Sequence, residues 1–262
     1  MAYRVKDFEA YLKRDCFAIF DDFFEYTSGD QFTTVGGDSG TCAAVDADSA
    51  TSTFATMTDL QGGILQIDPV ADAETDNHQV YAESKFEVFK FATDKPLFFA
   101  AKVKPVANTI ASVNLMIGLI DGVADDALQD TGAGPKASYS GAVFFAADGT
   151  NYWQCESSIA AAQTTVNTGK AIGNNAWDVL VIETIPISST TTEVHFFFGN
   201  EESTGDVSLV EVGKTTVNER LVAQTITHTN ATQMQIVLGA KDGVINNGLK
   251  LFVDWVYAAQ RR

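Results

Sequence analysis

Gly37-Asp38-Ser39-Gly40 has the residue types of a nucleophile loop. A serine in such a loop attacks when a histidine takes its proton, and the backbone amides beside it stabilise the oxyanion. That arrangement runs His, Asp, Ser in double-barrel hydrolases, whereas His78, His195 and His228 all follow Ser39. A Gly/Asp/Ser turn is the better reading. Glycoside hydrolysis needs two carboxyl groups facing each other across a cleft, one protonated and one ionised. Strand alternation would present them as E-x-D or E-x-D-x-E, and no candidate strand carries that spacing. Glu201 and Glu202 are adjacent, so on a strand they point to opposite faces.

Metal chemistry has little to work with. The histidines are isolated, with no H-x-H and no H-E-x-x-H. Asp46-x-Asp48 and the cluster Asp125, Asp126 and Asp130 could supply oxygens to a structural Ca²⁺, but lack the EF-hand glycine and terminal glutamate. Solvated loops are the default reading there. No phosphate-binding or dinucleotide glycine pattern occurs. Tyr152 and Trp153 follow a hairpin and could stack on a sugar ring, although core filling is the commoner use of such residues in a sandwich. Trp177 and Trp255 read as core, and His195, inside EVHFFF, as a strand residue. The expectation is a protein with no catalytic, cofactor-binding or metal-ligating residues, not an enzyme, working by binding and assembly.

The elements that would carry these residues are mostly strands. Residues 3–19 are the exception: Phe8, Tyr11, Leu12, Cys16 and Ile19 fall at helical spacing, with Lys6, Glu9, Lys13 and Arg14 largely opposite. This predicts a short N-terminal amphipathic helix, either packed on the chain's own sandwich or reaching out as an arm to a neighbouring subunit. Residues 27–60 are rich in Gly, Ser, Thr and Asp, which suggests long loops with short strands. About eleven runs then follow, among them QVYAESKFEVFKF, LFFAAKVK, SVNLMIGLI, GAVFFAA, NYWQCES, WDVLVIETI and LKLFVDWVY. Leu97, Phe99, Ala101 and Val103 alternate with Lys102 and Lys104, and WDVLVIETI is apolar on both faces, which places it centrally. Asp148-Gly149 is a strong hairpin signal, and Asp121-Gly122 and Asp242-Gly243 mark further turns. The reading is an all-β sandwich: an extension over 1–19 and one domain over 20–262.

The chain has 17 basic and 34 acidic residues, a formal charge of −17. That field repels phosphate backbones and anionic headgroups, so neither nucleic acid nor a membrane is an expected partner. Eighteen Phe against four Met favour a rigid aromatic core. Cys16, Cys42 and Cys155 show no C-x-x-C spacing and read as small apolar fillers of a protein made in a reducing cytoplasm. No secretory signal is read in the charged N-terminus, so Asn230-Ala231-Thr232 is not expected to carry a glycan.

The order of motifs adds a resemblance. Asp21-Asp22-Phe23-Phe24 leads to a Gly-Gly-Ile-Leu strand at 62–65. KPLFFAAKVKP, VNLMIGLID, SGAVFFAADGTNYWQC, WDVLVIE, EVHFFFGNE and LKLFVDWVYAAQRR follow. This succession, over roughly residues 20–262, resembles bacteriophage virion proteins with a concanavalin A-like jelly-roll domain. The resemblance implies a decoration or cement protein on the outer capsid surface, a dimer or trimer contacting the major capsid protein. Such a protein brings no site residues and no cofactor. The same fold also carries lectins, so a carbohydrate-binding module is the alternative.

Overall fold

The computed structural model describes residues 16–23, 32–35, 53–56, 63–69, 78–84, 87–123, 127–129, 132–200, 207–217, 220–228, 232–243 and 247–261. Its strands, in chain order, are β1 (Cys16–Asp21), β2 (Phe32–Val35), β3 (Thr53–Thr56), β4 (Leu65–Asp68), β5 (Gln79–Ser84), β6 (Phe89–Lys90), β7 (Leu97–Val106), β8 (Val113–Ile120) and β9 (Gly141–Ala146). They continue as β10 (Tyr152–Ile159), β11 (Ala162–Ala171), β12 (Asp178–Pro186), β13 (Thr191–Asn200), β14 (Val210–Val212), β15 (Thr215–Val217), β16 (Arg220–Val222), β17 (Gln224–Thr227), β18 (Gln233–Asp242) and β19 (Lys250–Arg261).

Two large sheets result, with every strand pairing antiparallel. The nine-stranded sheet runs β14-β13-β12-β7-β19-β4-β3, with β1 also on β19 and β17 also on β13. The eight-stranded sheet runs β11-β10-β9-β8-β18-β5-β2, with β6 also on β18. WDVLVIETI becomes β12, central between β7 and β13, as its two apolar faces require.

Alternation turns one face of each sheet inward. Leu97, Phe99, Ala101 and Val103 of β7 meet Leu115, Ile117 and Leu119 of β8 in one continuous core. Phe144 of β9 and Phe196 of β13 close the gap between the sheets edge to face, with ring centroids 5.2 Å apart. The Asp148-Gly149 hairpin forms with Thr150 N donating to Ala147 O at 3.1 Å. Only Gly149 takes a positive φ, of 85°.

The N-terminal helix is not what residues 16–21 form. Cys16 and Ile19, expected on its apolar stripe, lie in β1, which pairs with β19 from Cys16↔Arg261 to Asp21↔Val256. The strand runs across the boundary expected between residues 19 and 20, and residues 1–15 lie outside the described residues. The physical reason is that β19 offers an edge to pair with, and β-spacing also fits this stretch. Phe17 and Ile19 then pack against the core while Ala18 and Phe20 face outward.

Truncating a ring that bridges the sheets should be costly: Phe144→Ala is expected to lower stability by about 3–5 kcal/mol, read as a shift in urea midpoint. A loss under about 1 kcal/mol would mean that the two sheets do not depend on this contact.

Candidate functional site

Most of the chemical candidates stay apart. Ser39 and its Gly37-Asp38-Gly40 frame, Cys42, Asp46, Asp48, Asp125, Asp126, Asp130, Glu201, Glu202, Asn230 and Ala231 lie outside the described residues. Among the described residues, no three His, Cys, Asp or Glu side chains are placed to hold a metal ion. His78 is buried, with its carbonyl accepting from Asp242 N at 2.9 Å. His228, buried beside Thr192 Oγ1 at 3.0 Å, is held below its ordinary pKa by that burial. His195 is on the strand expected for it, outward on β13, with Nδ1 2.8 Å from Glu211 Oε1. Although burial pushes the Glu211 carboxyl up, Lys214 and His195 together hold it below its ordinary value.

The face of the eight-stranded sheet turned away from the core carries two carboxylates in a single row. Glu83 pairs with Val237, Val237 with Gly118, Gly118 with Val143, and Val143 with Glu156. Four strand spacings separate the two acids, about 19 Å. Retaining and inverting hydrolysis need roughly 5–10 Å between them. This face is also covered: Ala127, Leu128 and Tyr139 pack with Tyr81, Phe145 and Val237 in a second apolar cluster. Leu128 N donates to Tyr81 Oη at 3.0 Å, and the buried Lys241 donates from Nζ to Leu128 O at 2.9 Å. Glu156 is tied up beneath Tyr139, which donates from Oη at 2.8 Å, with Gln163 Nε2 at 3.1 Å and Thr165 Oγ1 also donating. Burial raises its pKa, and the Thr165 and Tyr139 bonds pull the other way.

The outward face of the nine-stranded sheet is different. Trp153, a sugar-stacking candidate by sequence, is fully buried in the core, whereas its neighbour Tyr152 is exposed. Trp177 and Trp255, expected in the core, instead lie half-buried on this outer face. For Trp255 the reason is a β-bulge. Leu251, Val253, Trp255 and Tyr257 share one parity, but the register shifts between Val253 and Trp255. Val256 and Ala258 therefore enter the core, and Trp255 and Tyr257 turn outward beside Phe252. Trp177 precedes the inward Asp178, and WDVLVIETI, apolar on both faces, gives no parity to decide its side.

These rings form a platform with charged edges. Lys104 Nζ is 5.0 Å from the ring centroids of both Trp177 and Phe252, and Lys102 Nζ is 5.1 Å from Trp177. Lys102 also pairs with Asp254 Oδ2 at 2.8 Å. The lysine ammoniums thus lie over the faces of Trp177 and Phe252, with Asp254 as the adjoining acceptor.

No family model and no curated protein matches the chain. Solved structures do. Peanut lectin with a nonamer peptide superposes with a TM-score of 0.51 at 9% identity, covering 94% of this chain and 97% of that one. The lectin UEA-II complexed with galactose gives 0.54 at 9% identity, covering 94% and 99%. The fold is lectin-like. An endo-1,3-β-glucanase from Streptomyces sioyaensis shares it equally well, at 0.54 and 12% identity over 95% and 97%. At these identities the likeness establishes the concanavalin A-like sandwich alone. The resemblance to virion proteins rests on the ordered sequence motifs.

The buried Glu156 makes stability depend on pH. Its folded pKa is raised above 4.5, so its contribution is complete below the unfolded value and is lost as pH rises through the folded one. The urea midpoint is expected to fall as pH rises from the unfolded value through the folded one, and Glu156→Gln should flatten part of the fall. An identical slope in the variant would mean that Glu156 is not held protonated.

Proposed function

We propose that this chain is a non-catalytic binding protein that recognises carbohydrate through the outward face of its nine-stranded sheet. The observation that carries this reading is the group of rings Trp177, Phe252 and Trp255 on this face, with Lys102 and Lys104 over the first two and Asp254 paired to Lys102. The C–H faces of a sugar ring stack on aromatic rings, while its hydroxyls bond to charged groups at the edge. Lectins of the same architecture, one of them complexed with galactose, lend support. Against turnover stands the separation of Glu83 from Glu156, with three strands between them and apolar packing above.

A second reading is a phage virion protein. It would decorate or cement the outer capsid surface through the major capsid protein and its own copies, after synthesis in a bacterial cytoplasm. It is favoured by the ordered motifs, whose segments are the long strands β7, β8, β9, β10, β12, β13 and β19. Many weak contacts repeated by symmetry would give avidity without one tight interface.

A glycan array separates the two. Under the carbohydrate reading the purified protein binds a defined glycan class, Trp255→Ala weakens that binding by roughly tenfold, and Tyr152→Ala leaves it intact. An array without hits, or full binding by Trp255→Ala, would overturn the reading. Co-sedimentation with assembled shells would then support the second.

A further inference from the structure

The eight-stranded sheet ends on a long strand whose outer edge has no partner among the described residues. β11 has ten residues and pairs on one side only, with β10. The strands that end the other paths, β2, β3 and β14, have four, four and three. Ile159 and Ala162 close a two-residue turn, so Ala162, Thr164 and Val166 bond to β10. Gln163, Thr165 and Asn167 therefore turn their N–H and C=O groups away from the sheet.

A bare edge of this length invites pairing, and folded proteins guard such edges with charges, prolines and bulges. Guards are present here, but only past Asn167. The register shifts between Trp153 and Gln154 of β10, which pair with Lys170 and Asn167, so Thr168 and Gly169 bulge opposite the shift. Gly169 takes a positive φ of 68° there. Gly169 N and Lys170 N are bonded locally, to Asn167 Oδ1 at 2.8 Å and Thr168 Oγ1 at 3.1 Å. From Ala162 to Asn167 the register is regular, with no charge and no proline. Ala162, Thr165 and Asn167 are exposed, while Val166 packs on the core.

Charge points to what can lie there. In a chain of formal charge −17, the hairpin from Tyr152 to Ala171 holds one acid, Glu156, and one base, Lys170. Glu156 is buried and bonded to Tyr139, Gln163 and Thr165. Two copies therefore meet at this edge with little of the repulsion that the rest of their acidic surface imposes. We infer that β11 pairs antiparallel with β11 of a second copy about a two-fold axis at Thr165. Thr165 then faces its own copy, a favourable cross-strand pair, and Gln163 faces the partner's Asn167. Lys170 falls opposite the partner's Ala160, so no like charges oppose each other. About six backbone hydrogen bonds form between the edges, and the contact, being isologous, closes at a dimer. It is independent of the carbohydrate reading, because the rings of that reading lie on the other sheet.

Sedimentation equilibrium of the full chain over a dilution series tests this. The contact is smaller than a standard interface of about 1,600 Å², so dimers are expected at roughly micromolar concentration and above. Thr165→Ala keeps the outward N–H and should leave the dimer within about threefold of its strength, whereas Thr165→Pro removes that N–H and should weaken it about tenfold or more. Both lose the hydrogen bond to Glu156, so their difference reads the edge alone. Thr165→Lys and Thr165→Glu should each weaken association about tenfold through like charges facing across the axis. An equimolar mixture of those two should associate again, because residue 165 meets its own copy only in this register. Far-UV circular dichroism checks that each variant folds, and if Thr165→Pro does not, the Lys and Glu variants decide. A chain still monomeric at about 1 mM, a dimer indifferent to these substitutions, or a mixture no tighter than its components would overturn the proposal. A monomer that pairs only with an added extended peptide would overturn it too, since the edge would then serve another protein.

Discussion

A polar bond buried between the sheets fixes how they sit on one another. Trp153 of β10 donates from Nε1 to Asp178 Oδ2 of β12 at 2.8 Å, in an otherwise apolar layer. Gly173 N and Asn200 Nδ2 each donate to the same carboxylate at 3.1 Å. Burial nonetheless raises its pKa, and those bonds counter the shift. A buried acid with its acceptors matched tolerates only one arrangement of its donors, so it specifies registry where apolar packing would permit sliding. Gln224 acts in the same way, accepting from Ser157 N at 3.0 Å and donating to Gly213 O at 3.2 Å. Both clamps tie β10 of the eight-stranded sheet to the nine-stranded sheet, one through β12 and the other through β17.

With the sheets so fixed, the two outward faces have opposite fates. One is covered by the residues around Leu128 and Tyr139, which hold Lys241 and Glu156 in hydrogen bonds. The other is left to rings and ion pairs, sorted along the strands into a charged aromatic end and an apolar end. The sandwich has the architecture shared by sugar-binding and sugar-cleaving proteins.

Much of this was legible residue by residue. The alternation from Leu97 to Val103, the central position of WDVLVIETI and the Asp148-Gly149 turn follow from local spacing alone, and the structure realises each. Four features were not legible, each because its place in the folded sheets decides it. Residues 16–21 satisfy helical and strand spacing alike until β19 supplies an edge. The bulge after Val253 inverts the facing of Trp255 and Tyr257, and one inserted residue leaves no compositional mark. β11, rich in Thr and Asn, lies at a sheet edge with side chains alternately exposed, so it never shows the apolar rhythm of a strand. Glu156 was missed as a buried acid because Tyr139, Gln163 and Thr165 meet it only through pairing and covering segments.

The positions of the last two strands have a consequence for how the molecule is made. β19 lies inside the nine-stranded sheet with β7 on one side and β4 and β1 on the other; β18 lies inside the eight-stranded sheet between β8 and β5. Both sheets are thus completed through the middle by strands later in sequence than every neighbour they join. Without β18 and β19, strands β1, β4, β5, β7 and β8 each lack a partner on one side. The two sheets therefore close through pairing between segments far apart in the chain, a topology that slows folding.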